Sequence, residues 1–246
     1  MFEHVEDYPI DPIMIGADLF AQDPRQDKLN LTVGIYQDEQ GHTPVLEAVK
    51  LAERRLVETQ ASKSYRALTG DAEYCAVLGY EVLGDSFDSC WVAAQTSGGA
   101  VALRVMADLL AQMPKPTTVW LQSPTYGNYV PILNAAGARF QALPYYDPLR
   151  SVLTFEQMLD GLKAARLGDV FLMQGPCHNP TGADMSEDQF AVLLDVLEAR
   201  GIVPWIDLAY LGFGQSFDAD CAMARQIADR FSECIVCITL SKTFGI

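Results

Sequence analysis

Two hydrophobic patterns alternate along most of the chain. From residue 117 onward, short apolar runs are separated by segments in which apolar residues recur every three or four positions. The short runs predict buried strands, and the longer periodic segments predict amphipathic helices. Because strands and helices alternate, the pattern predicts parallel βαβ units and a doubly wound α/β sheet. The predicted strands cover 117–122, 139–145, 169–174, 202–207 and 234–240, and the helices between them cover 128–136, 155–166, 186–200 and 219–231.

The part of the chain before residue 117 has a different pattern. Proline and glycine interrupt the first 44 residues, which predicts an irregular, extended N-terminal arm. Helices are predicted over 45–59, over 72–83 with Gly84 at the end, and over 100–113. A short β-prone run over 90–96 precedes the third of these helices.

Composition and charge narrow the class of protein. Half of the 246 residues are hydrophobic, which is typical of a globular protein, and the net charge of −15 makes nucleic acid an unfavourable partner. Cys234 and Cys237 have CxxC spacing, but they lie in an apolar run, so we interpret them as core residues and predict no metal site. No signal peptide and no stretch of membrane-spanning length is recognised, so a cytoplasmic protein with no membrane partner is expected.

In a doubly wound sheet, functional sites form beyond the carboxyl ends of the strands. Five loops follow strand ends or precede a helix in this way: 97–99, 123–126, 175–182, 207–210 and 239–242. Neither GxGxxG nor GxxxxGK[ST] follows the first clear strand, which makes an ordinary nucleotide-binding protein a distant alternative.

Each polar group in these loops has two interpretations when it is taken alone. Gly98 and Gly99 could let backbone N–H groups bind an anion at a helix start, or could form a simple turn. Asp207 could pair with a cationic ring nitrogen, or could cap a helix. Lys242 could form an imine with an aldehyde cofactor, or could be a solvated lysine.

The remaining polar groups are equally ambiguous. Tyr210 and Asn179 could bind a phenolic oxygen, although a partly buried core tyrosine is the ordinary alternative. The hydroxyls of Thr239 and Ser241 could bind a phosphate. His178 has no partner among its sequence neighbours, so we interpret it as structural.

Together these groups resemble one enzyme family. The order and spacing of three motifs are similar to those of the fold-type I aminotransferases that use pyridoxal 5′-phosphate (PLP), and further segments resemble the aspartate and aromatic amino-acid subfamily. The three motifs are Asn179-Pro-Thr-Gly182, Asp207-Leu-Ala-Tyr210 and Ser241-Lys-Thr-Phe-Gly245, and the further segments are Met1-Phe-Glu, Asp11-Pro-Ile, Leu31-Thr-Val-Gly-Ile-Tyr36, Gly41-His-Thr-Pro44 and Ala94-Gln-Thr-Ser-Gly-Gly99.

The resemblance implies a role for each residue. Lys242 carries PLP covalently and moves the substrate proton, Asp207 pairs with the ring nitrogen, and Tyr210 and Asn179 bind the phenolic oxygen. Tyr126 stacks on the ring, and Asn179, Tyr126 and Gly34 also border the substrate. Gly98, Gly99, Thr239 and Ser241 hold the phosphate, and Tyr65 reaches the phosphate of the neighbouring subunit in a homodimer. The implied reaction is a ping-pong exchange between an aromatic or dicarboxylic L-amino acid and a 2-oxo acid.

The sequence also departs from the pattern of the family. Ala100 replaces a phosphate-binding Thr or Ser, Val101 replaces a Gly, and Tyr129 and Gln174 replace common histidines. The chain is shorter than such enzymes, so we expect residues 45–246 to form an incomplete PLP-binding large domain, with the C-terminal small domain missing. Two alternatives stay open: a PLP-dependent lyase, racemase or decarboxylase, and a non-catalytic or decayed fragment.

Overall fold

The structure, a computed structural model, describes residues 3–4, 12–30 and 34–246. Its helices are α1 (Pro12–Gln22), α2 (Glu47–Thr59), α3 (Ala72–Leu83), α4 (Gly99–Ala111), α5 (Tyr129–Ala136), α6 (Phe155–Leu162), α7 (Glu187–Arg200), α8 (Phe217–Arg230) and α9 (Ser241–Phe244), with a 3-10 turn at Gly84–Ser86. Its strands are β1 (Thr118–Ser123), β2 (Arg139–Pro144), β3 (Tyr146–Asp147), β4 (Val152–Leu153), β5 (Val170–Gln174), β6 (Val203–Leu208) and β7 (Ile235–Ile238).

Five of the strands form one parallel sheet in the order β2-β1-β5-β6-β7. Successive side chains of a strand point to opposite faces, and β5 shows this directly. Val170 and Leu172 join a core with α4 and α5, whereas Phe171 and Met173 join a core with α3, α6, α7 and α8. Both faces are therefore covered by helices, which confirms the predicted doubly wound α/β sheet.

Local sequence signals explain where several helices begin and end. The Ser186 hydroxyl accepts a hydrogen bond from the Gln189 N–H while the Gln189 side chain accepts one from the Ser186 N–H, so α7 starts in a capping box. The helix ends at Gly201, whose left-handed conformation (φ 63°) suits glycine. At the start of α3, the carboxylate of Asp71 accepts from two backbone N–H groups.

Buried polar groups tie the strand starts together. The Asp169 carboxylate, which is 4% exposed, accepts hydrogen bonds from the Trp120 indole and from the N–H groups of Thr118 and Arg166. The Trp205 indole donates to Cys237 Sγ over 3.3 Å, so Cys237 packs in the core beside β6. These contacts fix the strands whose opposite ends hold the candidate site.

Some expectations for the regions outside the sheet were wrong. The arm contains α1, and no strand forms over 90–96, where Val92 is 92% exposed and the Gln95 N–H donates to the Thr69 carbonyl in a loop contact. A β-prone run needs a neighbouring strand, and none lies beside this one among the residues that the structure describes. The β3–β4 hairpin and α9 were not predicted, because both are too short for a periodic pattern to appear. The resembling residues Met1, Phe2, Asp11 and Leu31–Val33 lie outside the described residues.

Within the described ranges, no helix combines the length and the apolar character that crossing a membrane requires.

Candidate active site

The polar loops meet at the carboxyl edge of the sheet, where the ends of β1, β5, β6 and β7 lie side by side. Asp207 stands opposite Gln174 of β5 on one side and opposite Cys237 of β7 on the other. Beyond β7, the Thr239 N–H donates to the Leu208 carbonyl over 3.2 Å, so pairing continues up to the turn that begins α9. The parallel topology thus assembles residues that are far apart in sequence.

Asp207 is a buried carboxylate with one strong partner. The Tyr129 hydroxyl donates to Asp207 Oδ2 over 2.7 Å, and the two residues are 1% and 7% exposed respectively. Burial raises the pKa of Asp207 to about 6, although the Tyr129 hydrogen bond and the charge of Lys242 act in the opposite direction. The other oxygen, Oδ1, accepts no hydrogen bond from the described part of the chain. A buried carboxylate with a vacant acceptor is costly alone and suits a cationic N–H donor.

Tyr210, Asn179 and Lys242 converge next to Asp207. The Lys242 ammonium lies 5.5 Å from the centre of the Tyr210 ring. Burial raises the pKa of Tyr210, while a hydrogen bond with the Asn179 side chain opposes that rise. The structure therefore brings together the hydroxyl, the amide, the carboxylate and the amine that the sequence selected separately.

Asn179 is held by a reciprocal pair of hydrogen bonds from Gln174. The Gln174 Nε2 group donates to the Asn179 carbonyl over 2.7 Å, and Gln174 Oε1 accepts from the Asn179 N–H over 2.8 Å. The Gln174 N–H in turn donates to Gln122 Oε1 over 3.2 Å. The Asn179 backbone is thereby anchored to β5, which orients its side chain toward Tyr210.

A second corner of the site lies at the start of α4. Gly98, at φ 116°, precedes the helix, and a Cβ on Gly99 would lie 3.1 Å from the Thr239 Cβ. The hydroxyls of Thr239 and Ser241 are 3.2 Å apart. Backbone N–H groups at a helix start and two hydroxyls form an arrangement that can bind an anion. Ala100 is exposed here and contributes no polar side-chain atom.

Gly34 and Tyr126 border the same region from other segments. A Cβ on Gly34 would lie 3.1 Å from the Tyr210 hydroxyl, so the Gly34 backbone lies next to that tyrosine. The rings of Tyr126 and Tyr129 meet edge to face, with centroids 5.4 Å apart. Tyr65 is different, because its side chain is fully exposed (105%) and packs against none of the predicted site residues of its own described chain.

The neighbouring His178 has structural contacts. It is 2% exposed, its Nδ1 lies 2.9 Å from Thr181 Oγ1, and its ring packs on Tyr145 with centroids 4.3 Å apart. Burial lowers the pKa of His178 to about 4, although the nearby Asp184 carboxylate partly opposes this. A neutral imidazole enclosed in this way shapes the loop that carries Asn179.

Sequence reasoning missed the roles of Tyr129 and Gln174. Both were noted only as departures from a family pattern, and Tyr129 lies 78 positions before its partner Asp207. A usable signal existed for Gln174, since it is the last residue of a predicted buried strand and a polar residue there needs a partner. The contact made by Tyr129 depends on how α5 packs over the sheet, which no local pattern reveals.

The fold and the site agree with one class of protein. Residues 26–246 match the family model described as aminotransferase class I and II, and the chain belongs to that family.

Curated relatives have both aromatic and aspartate names. The chain is 41% identical to the aromatic-amino-acid aminotransferase of Paracoccus denitrificans over 96% of this chain and 60% of that protein. It is 40% identical to the tyrosine aminotransferase of Rhizobium meliloti strain 1021, and 38% identical to the aspartate aminotransferase of Escherichia coli K12, in each case over 100% of this chain and 63% of the relative. The chain thus spans about three fifths of the length of these relatives.

Solved structures give the same result. An aromatic-amino-acid aminotransferase from Burkholderia pseudomallei, covalently bound to pyridoxal phosphate, superimposes with a TM-score of 0.93 at 35% identity. The match covers 100% of this chain and 63% of that one. An aromatic amino acid aminotransferase solved with 3-indolebutyric acid gives a TM-score of 0.93 at 41% identity.

Proposed function

We propose that the protein is a PLP-dependent aminotransferase that moves an amino group between an aromatic or dicarboxylic L-amino acid and a 2-oxo acid. The observation that carries this proposal is the buried Asp207 carboxylate, whose Oδ1 is without a donor from the described chain while Lys242, Tyr210 and Asn179 converge beside it. The family membership and the PLP-bound relative support the same cofactor.

The residues fit PLP group by group. Asp207 offers a carboxylate for the ring N–H, Tyr210 and Asn179 offer a hydroxyl and an amide for the phenolic oxygen, and Lys242 offers the amine. The α4 start with Gly98 and Gly99, together with Thr239 and Ser241, offers donors for the phosphate. Bound PLP supplies an aldehyde that links to amines and a protonated ring that accepts electrons from the substrate Cα.

Side chains of the protein orient the cofactor ring and transfer the proton. The Asp207 carboxylate keeps a proton on the ring nitrogen because an ion pair in a buried setting favours the charged partner. With PLP bound, the Lys242 amine would be the group that accepts a proton from the substrate Cα at Nζ and passes it on to the cofactor. Tyr210, beside that amine, offers a donor to the phenolic oxygen and keeps the ring oriented.

The substrate class rests on the relatives. Those that match over the whole length of this chain include aromatic, tyrosine and aspartate aminotransferases. A Psychrobacter aromatic amino-acid aminotransferase cocrystallised with aspartic acid also matches, with a TM-score of 0.94 at 32% identity. One site that accepts both aromatic and dicarboxylic side chains is consistent with this set, and alternating use of an amino acid and a 2-oxo acid completes the cycle.

A homodimer is the proposed assembly. Helix α2 has no buried residue, and its apolar side chains Leu51, Leu56 and Val57 are 55%, 54% and 83% exposed. Tyr65 and Leu68, just beyond this helix, are fully exposed. An apolar surface of this kind marks an interaction site, and a second copy that received Tyr65 at its phosphate corner would cover it.

The cofactor proposal is tested on Lys242. The purified protein is mixed with PLP, the covalent link is reduced with borohydride, and peptide mass spectrometry locates the pyridoxyl group. We expect modification at Lys242 and its loss in Lys242→Ala. Lys163→Ala is the matched control, because Lys163 is exposed and pairs with Asp160 far from these loops. Saturable reducible binding that survives Lys242→Ala would overturn the assignment.

The reaction class is tested separately. The PLP-loaded protein is given L-tyrosine or L-aspartate, and the amino group is followed into the cofactor and then into an added 2-oxo acid. Return of the aldehyde form upon addition of the 2-oxo acid is expected. Release of carbon dioxide or ammonia without this return would favour a decarboxylase or lyase.

The dimer proposal is tested by mixing subunits. In a hybrid of a Lys242→Ala subunit with a Tyr65→Phe subunit, a Tyr65 that acts across the interface leaves one site with both changes and one site with neither, whereas a Tyr65 that acts in its own subunit leaves one change in each site. If Tyr65 acts across the interface, the hybrid should hold more PLP than the Tyr65→Phe homodimer per intact lysine. A monomer by sedimentation at all concentrations would contradict the proposal.

A further inference from the structure

We propose that Tyr129 is a positioning residue with two tasks: its hydroxyl orients Asp207 and its ring supports Tyr126. The inference rests on the proposed function, because these are the two groups that would contact opposite parts of the PLP ring system. Tyr129 itself lies behind both of them. It is the first residue of α5, and it follows directly the turn that carries Tyr126.

The hydroxyl task follows from the Asp207 contact. A buried carboxylate can rotate unless one oxygen is fixed, and the 2.7 Å bond from Tyr129 fixes Oδ2. Oδ1 is then left as the acceptor for a ring N–H. Burial and the nearby charge of Asp207 raise the pKa of Tyr129 well above its usual value, so the phenol stays a neutral donor whatever the state of the carboxyl.

The groups that face this pair come from several elements. Burial raises the pKa of Tyr129 most, and Asp207 of β6, Cys237 of β7 and Tyr126 of the preceding turn add to the effect. The charge of Lys242 of α9 also acts on Asp207 and stabilises its charged form. Among these, only Tyr129 donates a hydrogen bond to the carboxylate within the described residues.

The ring task follows from the edge-to-face contact with Tyr126. The two ring planes meet at 89° with centroids 5.4 Å apart, an arrangement in which the positive edge of one ring meets the negative face of the other. The Tyr126 hydroxyl also accepts from Asn128 Nδ2 over 2.9 Å, so that ring is held at both ends. A side chain fixed in this way is ready to stack without losing rotamer freedom on binding.

Two substitutions separate the tasks. Tyr129→Phe removes the hydroxyl and keeps the ring, whereas Tyr129→Leu removes both. Tyr145→Phe is the matched control, because Tyr145 is also buried and loses one hydrogen bond, to the Ala183 carbonyl, without contact to Asp207. Each variant is purified with and without PLP, and PLP affinity is measured by fluorescence quenching.

The hydroxyl task has a readout that needs no cofactor. In the PLP-free protein, the infrared band of the protonated Asp207 carboxyl is followed as the pH is changed. The band is assigned to Asp207 by its absence in Asp207→Asn. Tyr129→Phe should move the midpoint of this band to higher pH, since the Tyr129 hydrogen bond favours the charged carboxylate. The same variant should bind PLP roughly tenfold more weakly, as expected for a lost hydrogen bond to a charged group. Tyr145→Phe should leave the midpoint in place.

The ring task is read from a double-mutant cycle with Tyr126→Leu. Tyr129→Leu and Tyr126→Leu should be non-additive in PLP affinity, because either one destroys the same contact. Tyr129→Phe and Tyr126→Leu should be more nearly additive. If the pH midpoint of the carboxyl band is the same in Tyr129→Phe as in the unmodified protein, the hydroxyl does not orient Asp207. If the effects of Tyr129→Leu and Tyr126→Leu on PLP affinity are fully additive, the Tyr129 ring does not support Tyr126. If the unmodified protein binds no PLP, the proposed function fails, and the carboxyl midpoint still decides the first task.

Discussion

The backbone of Gly99 packs directly against the side chain of Thr239, so that a Cβ on Gly99 would lie 3.1 Å from the Cβ and 3.2 Å from the Cγ2 of that threonine. The two residues are 140 positions apart, yet the first turn of α4 and the end of β7 share this contact. It brings the N–H groups at the start of the helix and the Thr239 hydroxyl to one corner, where a phosphate would be bound from both sides.

Gly99→Ala should weaken PLP binding through this contact. An added methyl group at 3.1 Å forces α4 or Thr239 to move by a few tenths of an ångström, which separates the two sets of phosphate donors. We expect a loss of affinity on the order of tenfold, the equivalent of about one hydrogen bond to a charged group. Gly127→Ala is the control, since its Cβ would meet nothing within 4 Å. Equal PLP affinities for the two variants, measured by fluorescence titration, would contradict the phosphate assignment.

Ala100→Ser should have the opposite effect. Ala100 is exposed in the first turn of α4, beside the proposed phosphate corner, and its side chain adds no donor. A hydroxyl there adds one hydrogen bond to an anion, so PLP affinity should rise by roughly threefold to tenfold. Ala111→Ser, at the last residue of the same helix, carries the same helix-propensity cost without access to that corner. A gain in both variants, or in neither, would argue against a phosphate at the start of α4.

Gln174→Glu tests the anchoring of Asn179. The substitution keeps an oxygen for the Asn179 N–H but replaces the Nε2 donor with a carboxylate oxygen facing the Asn179 carbonyl. Since Gln174 is buried, we expect a loss of about 1–3 kcal/mol in the free energy of unfolding, measured by urea denaturation. Gln189→Glu is the matched control, because the Gln189 side chain only accepts from Ser186 N–H and a carboxylate can do the same. If Gln174→Glu leaves the free energy of unfolding unchanged, the loop that carries Asn179 is held by other contacts.

The pattern of the sequence was sufficient for the sheet but not for the fine structure of the site. Each strand and helix has a hydrophobic pattern that can be recognised in the sequence itself, so the five sheet strands were located to within a few residues. The rule that sites form at carboxyl ends then selected Asp207 and Lys242. The contacts of Tyr129 with Asp207, of Gly99 with Thr239 and of Gly34 with Tyr210 join residues 78 or more positions apart, and only the tertiary packing of helices and loops against the sheet brings such pairs together.

Asp207→Asn should make the PLP-free protein more stable at neutral and alkaline pH. Burial raises the pKa of Asp207 from 3.8 to about 6, so the folded state binds a proton more tightly than the unfolded state. Stability from this group is therefore present below pH 3.8 and is lost as the pH rises through about 6. The shift of about two units corresponds to roughly 3 kcal/mol at most, and an asparagine, which cannot ionise, does not incur that cost.

The measurement is the difference in the free energy of unfolding between Asp207→Asn and the unmodified protein from pH 4 to pH 8, without PLP. This difference should grow in favour of the variant across that interval, whereas PLP affinity should fall, because the variant lacks the carboxylate that pairs with the ring nitrogen. Asp169→Asn is the control: that carboxylate accepts three hydrogen bonds, so its amide should be destabilising at every pH. If the difference in the free energy of unfolding between Asp207→Asn and the unmodified protein did not change with pH, the Tyr129 hydrogen bond would already compensate for the burial of the carboxylate. A bound cation would then have no cost of burial to offset at Asp207.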